Sequence, residues 1–137
     1  MLIKKHLFNT VKVAAVMTLL FTASSSFAQE MTAEHYISMD LQARQLTLEG
    51  VKDRLSLLQF NAGLGRQLDQ DAETQQDVGA VYQQHNMTAS RAIAWATQHT
   101  QAIIQWLKEH PDQQAEYDRI SRELDAVSTQ IQALSNQ

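Results

Sequence analysis

Residues 117–134 read YDRISRELDAVSTQIQAL, and the spacing of the apolar side chains in this stretch decides the fold class. Tyr117, Ile120, Leu124, Val127, Ile131 and Leu134 advance in steps of three, four, three, four and three. At about 100° per residue that rhythm keeps all six on one side of a helix, as a heptad seam. A half-buried strand would need alternation with a period of two, and no run of β-branched residues in the chain has it. On the wet side Asp118 with Arg122 and Arg119 with Glu123 stand four apart. Each such pair contributes only about 0.2–0.5 kcal/mol. The stretch therefore predicts a helix over 112–135 whose stability comes from burying its seam against other elements.

Upstream stands Pro111, the one proline of the chain. Proline disfavours helical geometry at His110 before it and itself fits the first turn of the helix that follows. The preceding segment predicts a helix over 88–109, capped by Thr88, with Ala89, Ile93, Ala96, Thr100, Ile103, Ile104 and Leu107 as its core stripe. Before that, Val78, Val81, Tyr82 and His85 share one face of a shorter, more polar helix over 70–85, with Asp69 or Asp71 as its cap. The longest helix is expected over 32–62. Ile37, Leu41, Leu48, Val51, Leu55, Leu58 and Ala62 form its stripe, Thr32 caps it, and Gly63 with Gly65 ends it. Four amphipathic helices joined by short turns predict an all-α protein folded as an antiparallel four-helix bundle.

The first 28 residues have a different character. Lys4, Lys5 and Lys12 flank the start of an apolar run from Val13 to Phe21, and Ser26-Phe27-Ala28 puts small residues three and one before a cleavage point. That pattern predicts a bacterial-type secretory signal peptide over 1–28. As a membrane span the run is too short, because crossing the hydrocarbon takes about 20 apolar residues. The mature chain is then one domain over 29–137, periplasmic or secreted, with no membrane span. There is no cysteine, so in an oxidising compartment the core alone must hold the fold. Residues 29–137 carry eight Lys and Arg against fifteen Asp and Glu, a formal charge of −7, diluted by eighteen glutamines spread through the helical patterns. Such a surface repels phosphate backbones, which excludes nucleic acid as a partner.

Two apolar stripes lie off the expected core faces. On the back of the first helix Met39, Leu46 and Leu57 fall together, beside Gly50. On the third, Trp95, His99, Ala102 and Trp106 are spaced by four, three and four, roughly 90–150° from the centre of that helix's core stripe. Two tryptophans on such a face are costly to leave in water, and aromatic residues are enriched where proteins meet. A helix in a simple bundle buries one face. Trp95, His99 and Trp106, with Met39, Leu46 and Leu57 as a second patch, are therefore the expected partner-binding residues; a third helix that buries two faces would make the stripe core instead. The function this predicts is non-enzymatic contact with a protein partner or with a second copy, as an adaptor, chaperone-like binder, inhibitor or homo-oligomer.

Met31, His35 and Met39 supply the alternative. They step by four, and two thioethers with an imidazole are ligands soft enough for copper(I) or silver, the donor set of a periplasmic metal-binding protein. Asp69, Asp71 and Glu73 begin like a calcium loop, yet Thr74 and Ala80 stand where such a loop needs Gly and Glu. Helix capping explains these acids better. Glu-x-x-His pairs, zinc-protease spacing, a nucleophile elbow and phosphate loops are missing from the sequence. No enzymatic activity and no cofactor are expected.

Overall fold

The computed structural model describes residues 30–136, and within them the chain is all-helical. Its elements are α1 (Ala33–Gln59), α2 (Leu64–Gln84), α3 (Ala89–Gln98), α4 (Thr100–Glu109) and α5 (Pro111–Ser135). The expected signal peptide over 1–28 lies outside the described residues.

Side-chain caps set where α1 and α3 begin. The Thr32 hydroxyl accepts from the His35 N–H, and the Thr88 hydroxyl from the Arg91 N–H, both at 3.2 Å. Each satisfies a backbone donor that the first helical turn leaves open. At their far ends α1 and α2 close in the same way. Asn61 and Asn86 take left-handed backbone angles, φ 51° and 53°. The next amides then reach back, Ala62 to the Leu57 carbonyl at 2.8 Å and Met87 to that of Tyr82 at 2.9 Å. Asparagine tolerates this geometry and closes the last turn. The expectation that Gly63 and Gly65 end α1 is thus corrected: no glycine among the described residues has positive φ. α2 starts at Leu64 rather than at 70, with Gly63 at its N-cap, and Asp71 lies inside the helix as the partner of Arg54 on α1, at 2.8 Å.

α1 buries two faces. On one, Ile37, Leu41 and Leu48 form a cluster with Ile120 of α5, against which Ile103, Trp106, Leu107, Tyr117 and Leu124 pack. On the other, Met39 and Ala43 join Val81 of α2 and Ala92 of α3, with Met31, Leu46, Val78, Tyr82 and Met87 around them. Tyr36 touches both clusters.

Helix directions follow from named pairs. α1 and α2 run antiparallel, since Arg54 meets Asp71, Gly50 faces Thr74, and Met39 and Ala43 pack with Val81. α1 and α5 run parallel: Tyr117 donates to Asp40 at 2.9 Å, Arg119 to Gln45 at 2.8 Å and Lys52 to Glu123 at 2.6 Å, so partners climb together. The antiparallel arrangement expected throughout holds for the first hairpin and fails for the last helix. The cause is that α3 and α4 gather around the N-terminal half of α1, with Ala92 in the Met39 cluster, Trp95 on Tyr36, and Ile103 and Leu107 in the cluster of Ile37 and Leu41. The chain therefore enters α5 at the end from which α1 starts.

The helix expected over 88–109 is broken at His99, whose φ of −117° leaves the helical range. Three side chains around the break compete for backbone carbonyls. Thr97 donates to Ile93 O at 2.9 Å, Thr100 to Ala96 O at 3.0 Å, and His99 Nδ1–H to Trp95 O at 2.8 Å. Such back-bonding bends helices.

Candidate functional site

The aromatic stripe is not a free surface. Trp95 stacks between Tyr36 of α1, 5.3 Å between ring centroids, and His99, at 4.1 Å. Trp106 stacks on His110 at 3.7 Å and packs against the first core cluster. Both tryptophans are half-buried, while His99 is exposed. The two pairs are copies of one device: in WATQH (95–99) and WLKEH (106–110) the histidine ends a helix, stacks on the tryptophan four residues back and donates Nδ1–H to that residue's carbonyl, at 2.8 and 2.7 Å. The repeated Trp-x-x-x-His spacing was the available signal for it.

Burial of this face rotates the expected core stripe along α3. Ala92 and Trp95 turn inward beside Ala96, which was expected there, while Ile93, also expected in the core, is 67 % exposed. Along α4, Ile103, Trp106 and Leu107 are half-buried and Ile104 is exposed. The inward face of each helix is the one on which its tryptophan lies.

The second stripe of α1 lies against α2. Met39 is completely buried and Leu46 half-buried in the second cluster, while Leu57 is half-buried further along the helix. Gly50 lies so close to α2 that a Cβ there would overlap the Thr74 side chain. Of the three soft-metal candidates, Met31 and Met39 pack as apolar filler in that same cluster and His35 is half-buried one turn away. Thioethers fill irregular core space well.

Charged groups concentrate on the seam between α1 and α5. Asp40 receives hydrogen bonds from Arg44 at 2.7 Å and from the Tyr117 hydroxyl at 2.9 Å, and the Arg44 guanidinium lies 5.3 Å from the centre of the Tyr117 ring. Burial, and then the neighbouring Asp40 carboxylate, push the Tyr117 phenol well above its ordinary value; Tyr36 and Tyr82 are raised by the same two causes. Further along, Arg119 donates to Glu116, Glu123 and Gln45. Glu123, bonded by Lys52 and Arg119, is held below the usual carboxylate range, and Glu116 is lowered by Arg119. These groups satisfy one another across two helices, an arrangement that fixes their register.

What remains outside is apolar and sits at the α1–α2 turn. Phe60 is 85 % exposed, Leu64 67 % and Leu68 57 %. They follow one another at steps of four, the last two on one face of α2. The surrounding sequence, residues 59–68, holds one charged residue, Arg66, so the tip carries +1 on a chain whose other residues from 29 onward sum to −8. α3 and α4 gather at the opposite end of α1 and leave this tip uncovered. In the sequence these residues are hidden, because 63–69 reads as a turn with no face of its own. The surface also has a groove of about 450 Å³ between α1, α2 and the start of α3 and another of about 330 Å³ among Tyr36, α3, α4 and Tyr117. Among the described residues no helix is long and apolar enough to cross a membrane.

Compared with protein-family models, curated proteins and solved structures, the chain matches none.

Proposed function

We propose that this is an exported, non-enzymatic helical protein that works by protein contact, and that the surface it uses is the tip of the α1–α2 hairpin. One observation carries the reading: Phe60, Leu64 and Leu68 stand in solvent on a nearly uncharged end of an otherwise acidic chain. Burying large apolar side chains is favourable by about 1.5–3 kcal/mol each, and clustered exposed apolar residues mark places where proteins meet. The weak charge of the tip lets it approach a second surface, another copy included, without the repulsion the acidic body would bring. Trp95 and Trp106 are already engaged by Tyr36, His99 and His110, so the tip replaces the tryptophan stripe as the leading contact surface. A contact role also fits charged clusters that are spent on holding α1 to α5. Export rests on the lysine-rich start, the short apolar run and Ser26-Phe27-Ala28.

The test is to replace Phe60, Leu64 and Leu68 together by Ser and isolate both forms gently from the cells that make them. Exposed substitutions away from packing change stability by about 0.5 kcal/mol or less each, so the variant keeps its melting behaviour while losing the partner or second copy that the parent retains. Equal complex mass and composition for the two proteins would refute the tip as the contact surface. Weighed intact, the exported chain is expected to begin at Gln29, and retention of Met1 would contradict export.

A further inference from the structure

The groove between α1, α2 and the start of α3 has no part in the contact tip and lies nearer the other end of the hairpin. It has a volume of about 450 Å³, and its lining includes Thr47, Thr74, Gln75, Gly79, Tyr82 and Gln83. We propose that this groove is a binding site for a small uncharged molecule with an apolar body and few hydrogen-bonding groups.

The chemistry of the lining selects that occupant. No Lys, Arg, His, Asp or Glu contributes to it. An anion would find no cation in the groove and a body of charge −7 around it, and a cation would find no carboxylate. The threonines bring methyl groups to the lining, and each hydroxyl has part of its hydrogen-bonding capacity engaged by backbone. Thr47 donates to Ala43 O at 2.9 Å, Thr74 to Gln70 O at 3.0 Å, and Thr88 accepts from the Arg91 N–H at 3.2 Å. The Tyr82 phenol, kept protonated by burial and by the Asp40 carboxylate, and the amides of Gln75 and Gln83 supply the polar points. Sites for single small molecules typically occupy about 300–1,000 Å³, mostly apolar with few polar groups, and this groove falls at the lower end.

Gly79 is the second observation. A glycine inside a helix costs about 1 kcal/mol relative to alanine, so one that serves neither packing nor backbone geometry needs another account. Gly50 serves packing, since a Cβ there would overlap Thr74; a Cβ at Gly79 would meet nothing within 4 Å, and its φ is not positive. What the bare backbone at Gly79 does is keep the groove open.

The test titrates the purified chain with N-phenyl-1-naphthylamine, an uncharged probe that brightens in apolar surroundings. One saturable site is expected. Gly79→Leu fills the groove from α2 while giving the helix a better former, so the variant should melt no lower than the parent and bind the probe about tenfold more weakly or worse. Thr47→Leu, which fills it from α1, should weaken binding in the same direction and covers the case in which the first variant folds poorly. Absence of saturable binding would overturn the proposal. So would equal affinity in parent and folded variants, which would place the probe elsewhere, for instance on Phe60 and Leu64.

Discussion

A Cβ added to Gly50 would come within 2.8 Å of the Thr74 Cβ and closer still to the two atoms beyond it. The helices touch backbone to side chain there, and no rotamer change at Thr74 moves its own Cβ. Gly50→Ala gains about 1 kcal/mol of helix propensity but forces α1 from α2, and overpacking costs about 1–3 kcal/mol. A net loss of up to about 2 kcal/mol is expected, read as a lower melting temperature. Gly79→Ala, where the added Cβ meets nothing, should raise it. Equal stabilisation by both substitutions would mean that α1 and α2 are not in close contact at Gly50. The sequence placed Gly50 on the same back face of the helix as Met39, Leu46 and Leu57, so the stripe itself was legible. What covers it was not, because helical spacing identifies an apolar face without identifying the partner that buries it. A second helix of the same chain and a separate protein leave the same signature.

Between elements, the parallel seam of α1 and α5 depends on polar groups whose titration gives it a pH range. The Tyr117 phenol is raised by burial and by the Asp40 carboxylate beside it. Below the ordinary tyrosine value of about 10 it is protonated in folded and unfolded chain alike, and its contribution is fully present. As pH rises past about 10 the unfolded chain releases a proton that the folded chain keeps, so stability falls; Tyr36 and Tyr82, also raised, act in the same direction. Glu116 and Glu123 act at the other side. Their lowered values mean that the stability they lend is present above the usual carboxylate range and lost as pH falls through those values. Urea midpoints should therefore be flat around neutrality and decline toward both extremes, with Tyr117→Phe shallower on the alkaline side. An alkaline decline of the same slope in that variant would remove Tyr117 from the account. The heptad steps from Tyr117 to Leu134 identified α5 and its buried face, and Ile120 and Val127 are its buried residues. Its direction relative to α1 was hidden, because it depends on the break at His99, where carbonyl-seeking side chains of Thr97, His99 and Thr100 outweigh a continuous apolar pattern.

In the molecule as a whole, that break and the crowding of α3 and α4 around the start of α1 leave the two ends of the fold unlike each other. One end is capped by four helices and carries the stacked Trp95–His99 and Trp106–His110 pairs. At the other, the turn between α1 and α2 holds Phe60, Leu64 and Leu68 in solvent. A continuous third helix running back along α1 would have covered more of that end, and it is the arrangement the sequence favoured. The exposed tip was thus the least legible feature, since its exposure follows from where distant helices stop. The most direct measurement places a photo-crosslinking amino acid at position 60 or, as a control, at the exposed Asp125 of α5, and irradiates cells that make the full chain. One defined protein adduct is expected from position 60, either a second copy or a partner, and none from position 125. No adduct at position 60, or the same adducts from both positions, would contradict the tip as the contact surface.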